Sequence, residues 1–318
     1  MKLTPRAPAE GINNPGDNTF KVILGLVVGA MCIVGVFFLV VSTIVDVAVD
    51  QLDPATEVAL FADMVPEMLQ PFGAEGFDED AEAALMPIFE RVRRAGPELP
   101  YDFLVRVACE PAPNALALPG GGIIVTSGLL HIVDTEEELI FILGHELGHF
   151  AHRDHLRGMG RSLALQLAMG GMLMTTGIDP TIGLQLALEA MSSAHSREQE
   201  IAADATGLTV LHALSPEDVS GANRALNGLH EQDTGGSLDT LDFLRSHPLG
   251  PKRIAALSER ITAEGFTLAK LRGTALPLAL KESCRRGDSK SQESAEEDSK
   301  ITPEGGMDAP ADPVPNAP

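Results

Sequence analysis

The chain has 318 residues, 44% of them hydrophobic, which suffices for one medium-sized domain or two small ones with a substantial core. A formal net charge of −22 repels phosphate backbones, and with no Trp and one Tyr there is little to stack on nucleobases, so nucleic-acid partners are excluded. The cysteines Cys32, Cys109 and Cys284 are odd in number and form no Cys-x-x-Cys pair, so neither a disulfide framework nor a thiolate metal site is implied.

Residues 1–20 form a polar tail rich in Pro, Gly and Asn. From Val22 to Val45 no charged residue occurs, and this run predicts a helix of roughly 36 Å, long enough to span a bilayer with some tilt. No small-x-small cleavage site follows it, so segment 21–46 reads as a retained transmembrane anchor rather than a signal peptide. Lys2, Arg6 and Lys21 precede it, whereas Asp46, Asp50, Asp53 and Glu57 follow. The positive-inside rule then puts the N-terminus in the cytoplasm and the remainder outside, which in a Gram-negative cell means the periplasmic side of the inner membrane.

Residues 52–94 read as helix in pieces, interrupted near Pro71 and Gly73, with Leu60, Met64, Met68 and then Leu85, Ile88, Phe89 and Val92 at helical intervals. Tyr101 to Cys109 is rich in apolar and β-branched residues and predicts a strand. Asn114 to Gly128 predicts two short strands about a Pro-Gly-Gly-Gly turn. Thr135 to Glu138 has the form of a capping box that opens a long helix. The Ala-, Leu- and Met-rich stretch from Arg161 to Met191 has an apolar arm too short to cross a bilayer and reads as a buried helical hairpin. A helix is expected over Ser196 to His212 and further helices to about Arg272. The metal-bearing domain is thus placed at 52–281, and 282–318, almost free of large apolar residues, is expected to be a disordered acidic tail.

The helix opened at Thr135 carries Gly144-His-Glu-Leu-Gly-His149, followed by His152 and His155. Residues four apart share a helix face, so His145 and His149 can direct both imidazoles at one zinc ion, while Glu146 lies beside the stripe, placed to take a proton from the attacking water. Gly148 leaves room for another segment to approach. A catalytic zinc site takes three protein ligands, so His152, nearly on the same stripe, is assigned to packing or to a hydrogen bond behind the ligands. His155 is expected to cap the helix end.

The best source of a third ligand is Ser196 to Asp204, where Glu200 and Asp204 face one direction. Glu200 would bind the metal, and Asp204 would hydrogen-bond a ligand imidazole. Spacing alone leaves Glu198 as an alternative to Glu200.

Four stretches in order resemble the membrane-associated zinc metalloendopeptidases that include the bacterial heat-shock protease HtpX, the eukaryotic CAAX prenyl protease and the mitochondrial Oma-type peptidases. They are Asn114 to Gly121 with Ile124 to Leu130; Gly144 to His149; Ser196-Arg-x-x-Glu-x-x-Ala-Asp204 with Gly207; and Ser246-His-Pro-Leu-Gly-Pro-Lys-Arg253. The resemblance covers roughly residues 52–271 and implies an α+β, mostly helical gluzincin-type fold with a small β-sheet before the zinc helix. It favours Glu200 as the third ligand, and implies one Zn2+ and endopeptidase activity on protein or peptide substrates. In a bacterium it suggests envelope protein quality control, a step that rests on analogy alone. An extended substrate is expected to add a strand along Asn114, Ala115, Pro119, Gly120 and Gly121. Tyr101 is the only tyrosine, so oxyanion stabilisation is assigned to His247 and Arg253. The rival roles are a turn residue and a salt-bridge partner respectively, and His247 is also a candidate for the fourth zinc position at rest. A zinc-fold chaperone or another zinc amide hydrolase is the alternative function, the former disfavoured by an intact Glu146.

Overall fold

A computed structural model describes residues 19–61, 64–69, 76–173, 196–234, 247–248, 250–269 and 272–285. The expected break near Pro71 and Gly73, the second arm of the hairpin beyond Leu173 and the acidic tail from 286 onward lie outside these residues.

Helix α1 (Thr19–Gln51) contains the uncharged run and is long and apolar enough to cross a membrane. Phe20, Leu26, Met31, Ile33, Leu39 and Ile44 are between 62% and 74% exposed, so this helix has no protein core of its own to enter. Short helices α2 (Pro54–Phe61) and α3 (Val65–Leu69) follow, then the amphipathic α4 (Glu79–Ala95), which Asp78 caps by accepting from the Ala81 N–H at 3.0 Å. Ala81, Leu85, Ile88, Phe89 and Val92 form its buried face, at the 3–4 residue spacing that the sequence displays.

The sheet holds β1 (Leu104–Ala108), β2 (Ala115–Leu118) and β3 (Gly122–Thr126) in the order β1-β3-β2, with β1 parallel and β2 antiparallel to β3. Gly120 and Gly121 make the β2–β3 turn at φ 85° and 100°, a region that penalises any side chain. Strand β3 is buried along its whole length because it lies between the other two with helices over it. Helix α5 (Ser127–Ile132) leads into α6 (Glu136–His152). Thr135 caps α6, but the Glu138 side chain accepts from the Thr135 hydroxyl at 2.9 Å and the Asp134 N–H at 2.9 Å instead of closing the box on the Thr135 N–H.

After α6 come α7 (Asp154–Leu173), α8 (Arg197–Leu214), α9 (Ser220–Thr234), α10 (Pro251–Ala263) and α11 (Leu278–Lys281). Helices α6 and α8 pack face to face through small residues. A Cβ on Gly148 would stand 2.8 Å from the Ala203 Cα, and one on Gly207 would stand 2.7 Å from the Phe141 carbonyl oxygen. This close approach lets side chains on two helices meet at one point. Leu139, Leu143, Leu147, Leu208 and Leu211 seal the core around the contact. Helix α7 leaves the domain along α1, with Arg157 paired to Asp46 and Asp50 and Arg161 to Asp46.

Two expectations are corrected here. Cys109 and Cys284 form a disulfide, with Cα atoms 5.4 Å apart across 175 residues of sequence. Cys109 follows β1 and Cys284 follows α11, so only the folded topology brings them together. The odd count conceals the pair because Cys32 sits alone, exposed, on α1. Ser283, next to this bond, is fully buried. Secondly, His155 does not cap α6. The cap is Arg153, in the left-handed conformation at φ 56°, and its N–H is donated to the His149 and Phe150 carbonyls.

Candidate metal centre

The four-residue spacing places His145 and His149 on one side of α6, where Nε2 of each lies 3.0 Å from Nε2 of the other. Helix α8 begins at a capping box made by Ser196 and Gln199, which fixes the register that turns Glu200 and Asp204 toward α6. Glu200 oxygens lie 3.6 Å from His145 Nε2 and 3.4 Å from His149 Nε2. His247, just before α10, brings Nδ1 to 3.2 Å from His145 Nε2 and to 3.2 Å from Glu200 Oε1. One ligand atom from each of His145, His149, Glu200 and His247 falls within 4.8 Å of the others, and all four residues are buried.

The outward nitrogens are occupied. His145 Nδ1 donates to Asp204 at 2.9 Å, and His149 Nδ1 donates to Asp154 Oδ2 at 2.9 Å. Both imidazoles are therefore held with Nδ1 on a carboxylate and Nε2 turned into the cluster, the orientation a metal ligand needs. Gln199 in turn donates to Asp154 Oδ1 at 2.6 Å, which links the two helices behind the ligands. This donor set fits one zinc ion: borderline imidazole nitrogens, one carboxylate and carboxylate partners behind the histidines. Glu198 lies outside the ligand cluster, so of the two alternatives it is Glu200 that the fold brings to the histidines.

Electrostatics point the same way. Burial pushes His145 down to about 4, against the opposing pull of Asp204 and Glu200. His149 is equally buried, but Asp154 and Glu200 outweigh that and hold it up to about 10. The charges of His149 and Arg253 add to the lowering of His145. Burial acts against ionisation of Glu200, yet the charges and hydrogen bonds of His247 and His149 hold it well below the carboxylate range. Glu146 is different: burial dominates and raises it. Its Oε1 accepts no hydrogen bond among the described residues, and His247 Nε2 lies 3.7 Å from it.

Arg253, expected as an oxyanion donor, is bound by the carboxylates of the cluster. Its Nε and Nη2 bind Asp204 at 2.5 and 2.7 Å, and its Nη1 meets Glu200 Oε2 at 2.5 Å and the His247 carbonyl at 3.4 Å. Every arm of the fork is directed at groups that hold the ligands, so Arg253 braces the cluster from behind. His152 is exposed at the end of α6 and does not reach the site. The bond behind His149 comes from Asp154 because the left-handed turn at Arg153 folds the chain back under the helix. Nothing in the local spacing announces that turn, although a residue such as Asp following a His-x-x-x-x interval could have been tried as a partner. Strand β2 is an edge of the sheet. Asn114 and Ala115 are buried at its start, and Asn114 Oδ1 has no hydrogen-bond partner among the described residues. Pro119, Gly120 and Gly121 form the buried turn beside Tyr101 and not a free edge.

The profile of Peptidase family M48 matches residues 82–261, more than half of the chain. The mitochondrial metalloendopeptidase OMA1 of Arabidopsis thaliana is 33% identical over 161 residues, covering 49% of this chain and 31% of that protein. The metalloprotease YcaL of Escherichia coli is 29% identical over 156 residues, covering 47% of this chain and 59% of that protein. The protease HtpX of Legionella pneumophila is 28% identical over 212 residues, covering 58% of this chain and 74% of that protein. The matched stretch thus spans less than two thirds of the Arabidopsis and E. coli relatives.

Proposed function

The chain belongs to peptidase family M48, and from that membership and the geometry of its metal centre we propose that it is a membrane-anchored zinc endopeptidase acting on unfolded or misfolded envelope proteins. The observation that carries this reading is the buried cluster of His145, His149, Glu200 and His247 with Glu146 beside it, its Oε1 free of hydrogen bonds. Zinc, when bound, supplies a Lewis acid that polarises the scissile carbonyl and lowers the pKa of water toward about 7. Glu146 Oε1 receives a proton from the attacking water and passes it to the leaving amine nitrogen. Burial, which raises this carboxyl, favours that transient protonated state. Asp204 and Asp154 keep the two imidazoles oriented throughout, and Arg253 fixes Asp204 and Glu200. The edge strand β2 offers backbone groups to an extended peptide, a mode of binding with little sequence selectivity.

The test is metal analysis and casein cleavage on the purified full chain, with and without chelator. About one zinc per chain and chelator-sensitive cleavage are expected; cleavage by the metal-free protein would overturn the reading.

The same proposal places the N-terminus in the cytoplasm and the catalytic domain outside the membrane. Its support, beyond flanking charge, is the Cys109–Cys284 disulfide, a bond that persists in oxidising compartments. A C-terminal reporter active only outside the cytoplasm should light up, and silence there would reverse the topology.

A second reading concerns His247. Its Nδ1 sits at 3.2 Å from both Glu200 and His145, among the candidate ligands. We assign it as a movable fourth donor that closes the site at rest and withdraws when substrate enters.

A further inference from the structure

Arg153 occupies an unusual place. A side chain at φ 56° is disfavoured, and glycine is the ordinary occupant of such a helix end. Here the conformation is retained by a guanidinium that is tied at every nitrogen. Nη1 donates to the carbonyls of Val49 and Leu52, at 2.8 and 2.6 Å, where the apolar helix α1 ends. Nε and Nη2 donate to Glu57 Oε2 at 3.1 and 2.7 Å. Glu57 is wholly buried and also accepts from Tyr101 Oη at 2.9 Å and His155 Nε2 at 3.0 Å. On the other side, the next residue along the chain is Asp154, whose two oxygens hold His149 Nδ1 and Gln199 Nε2. Gln199 is the neighbour of the ligand Glu200.

We propose that Arg153 is a positioning residue that connects the seat of the N-terminal apolar helix to the metal ligand His149. The carbonyls of Val49, in the last turn of α1, and of Leu52, just past its end, clamp the guanidinium together with the Glu57 carboxylate, and the clamp holds the left-handed turn. The turn in turn aims Asp154 at His149 from one side and at Gln199 from the other. Displacing the end of α1, by a change in how the anchor sits in lipid, would loosen Asp154 and with it the orientation of the imidazole. The zinc site therefore reads the position of the anchor. This inference rests on the zinc-peptidase reading above.

The decisive variants are Arg153→Gly and Arg153→Asn, because both residues tolerate the left-handed backbone and neither supplies a guanidinium. If Arg153 only caps α6, either change relaxes the backbone and leaves the metal untouched. If it positions Asp154, zinc affinity measured by chelator competition on the full chain in lipid nanodiscs should fall on the order of tenfold, the scale of losing a partner behind a metal ligand. The visible absorption of the cobalt-substituted protein should shift as the geometry at His149 changes, a readout that the loss of stability from leaving Glu57 without its guanidinium does not by itself move. Asp46→Asn with Asp50→Asn removes the other ion pairs between α1 and α7 and should leave both metal readouts unchanged. Wild-type zinc affinity and cobalt spectrum in whichever Arg153 variant folds would overturn the proposal alone. Failure of the wild-type chain to bind zinc at all would overturn the zinc reading and this inference with it.

Discussion

Two buried clusters of carboxylates and histidines stand back to back in this protein, on either side of Asp154. In the one around Glu57, both oxygens are saturated: Tyr101 reaches both, His155 binds one and Arg153 the other. In the one around Glu200, imidazole nitrogens crowd together at 3.0–3.2 Å, and Glu146 Oε1 has no hydrogen bond among the described residues. Both clusters are equally hidden from water, so burial does not separate structure from chemistry. What separates them is how the carboxylates are held. A buried carboxylate bound by donors on both oxygens is a tie; a cluster in which imidazole nitrogens and carboxylate oxygens converge, beside a carboxylate oxygen with no donor, is a site.

The sharpest way to break this comparison is Glu146→Gln. It preserves shape and hydrogen-bonding capacity but cannot hold the transferred proton. Cleavage of casein should fall by roughly 10²- to 10⁴-fold, the scale of general acid–base catalysis, with zinc content unchanged. Activity at the wild-type level would remove Glu146 from the mechanism.

His247→Ala sharpens the assignment inside the reactive cluster. As a movable fourth donor, His247 should slow the resting enzyme, so its loss should raise cleavage several-fold while weakening zinc retention. A drop in kcat of about 10²-fold or more, with metal affinity kept, would instead make it the oxyanion donor.

The two clusters also differ in how far they could be read from the sequence. His145, His149, Glu200 and Asp204 lie on two helices at spacings of four, and helical periodicity alone sets which of them share a face. Gly148 added that another segment could approach the helix closely, and the structure brings Ala203 there. The strand pair around the Pro-Gly-Gly-Gly turn was equally local. Asp154 escaped because its approach to His149 depends on one left-handed residue, which sequence favours at Gly or Asn and here falls on Arg153. Glu57 lies 96 residues from Arg153, and the disulfide partners are 175 apart; contacts at such separations follow from tertiary topology and leave no periodic trace. Arg253 was placed near the chemistry by the sequence, but the direction of its fork depends on where Asp204 and Glu200 ended up.

The smallest of the expected effects tests the saturated cluster by its pH dependence. Burial alone would raise Glu57, but the bonds from His155, Arg153 and Tyr101 outweigh it and hold the group below the ordinary value of 4.5. A carboxyl depressed in the folded state gives stability that is complete above its unfolded pKa and is lost as pH falls through the folded one. The contribution of Glu57 should therefore be intact at neutral pH and disappear progressively below about pH 4.5. Glu57→Gln removes the titrating group, leaves Arg153 without its charged partner, and should cost on the order of 3 kcal/mol near pH 7. The difference from wild type should then shrink as acid protonates Glu57 in the native protein. Chemical denaturation of the metal-free chain between pH 7 and pH 3.5 measures it. A gap that stays constant with pH would mean that Glu57 contributes packing and neutral hydrogen bonds but no charge. The contrast between a tie and a site would then rest on the metal cluster alone.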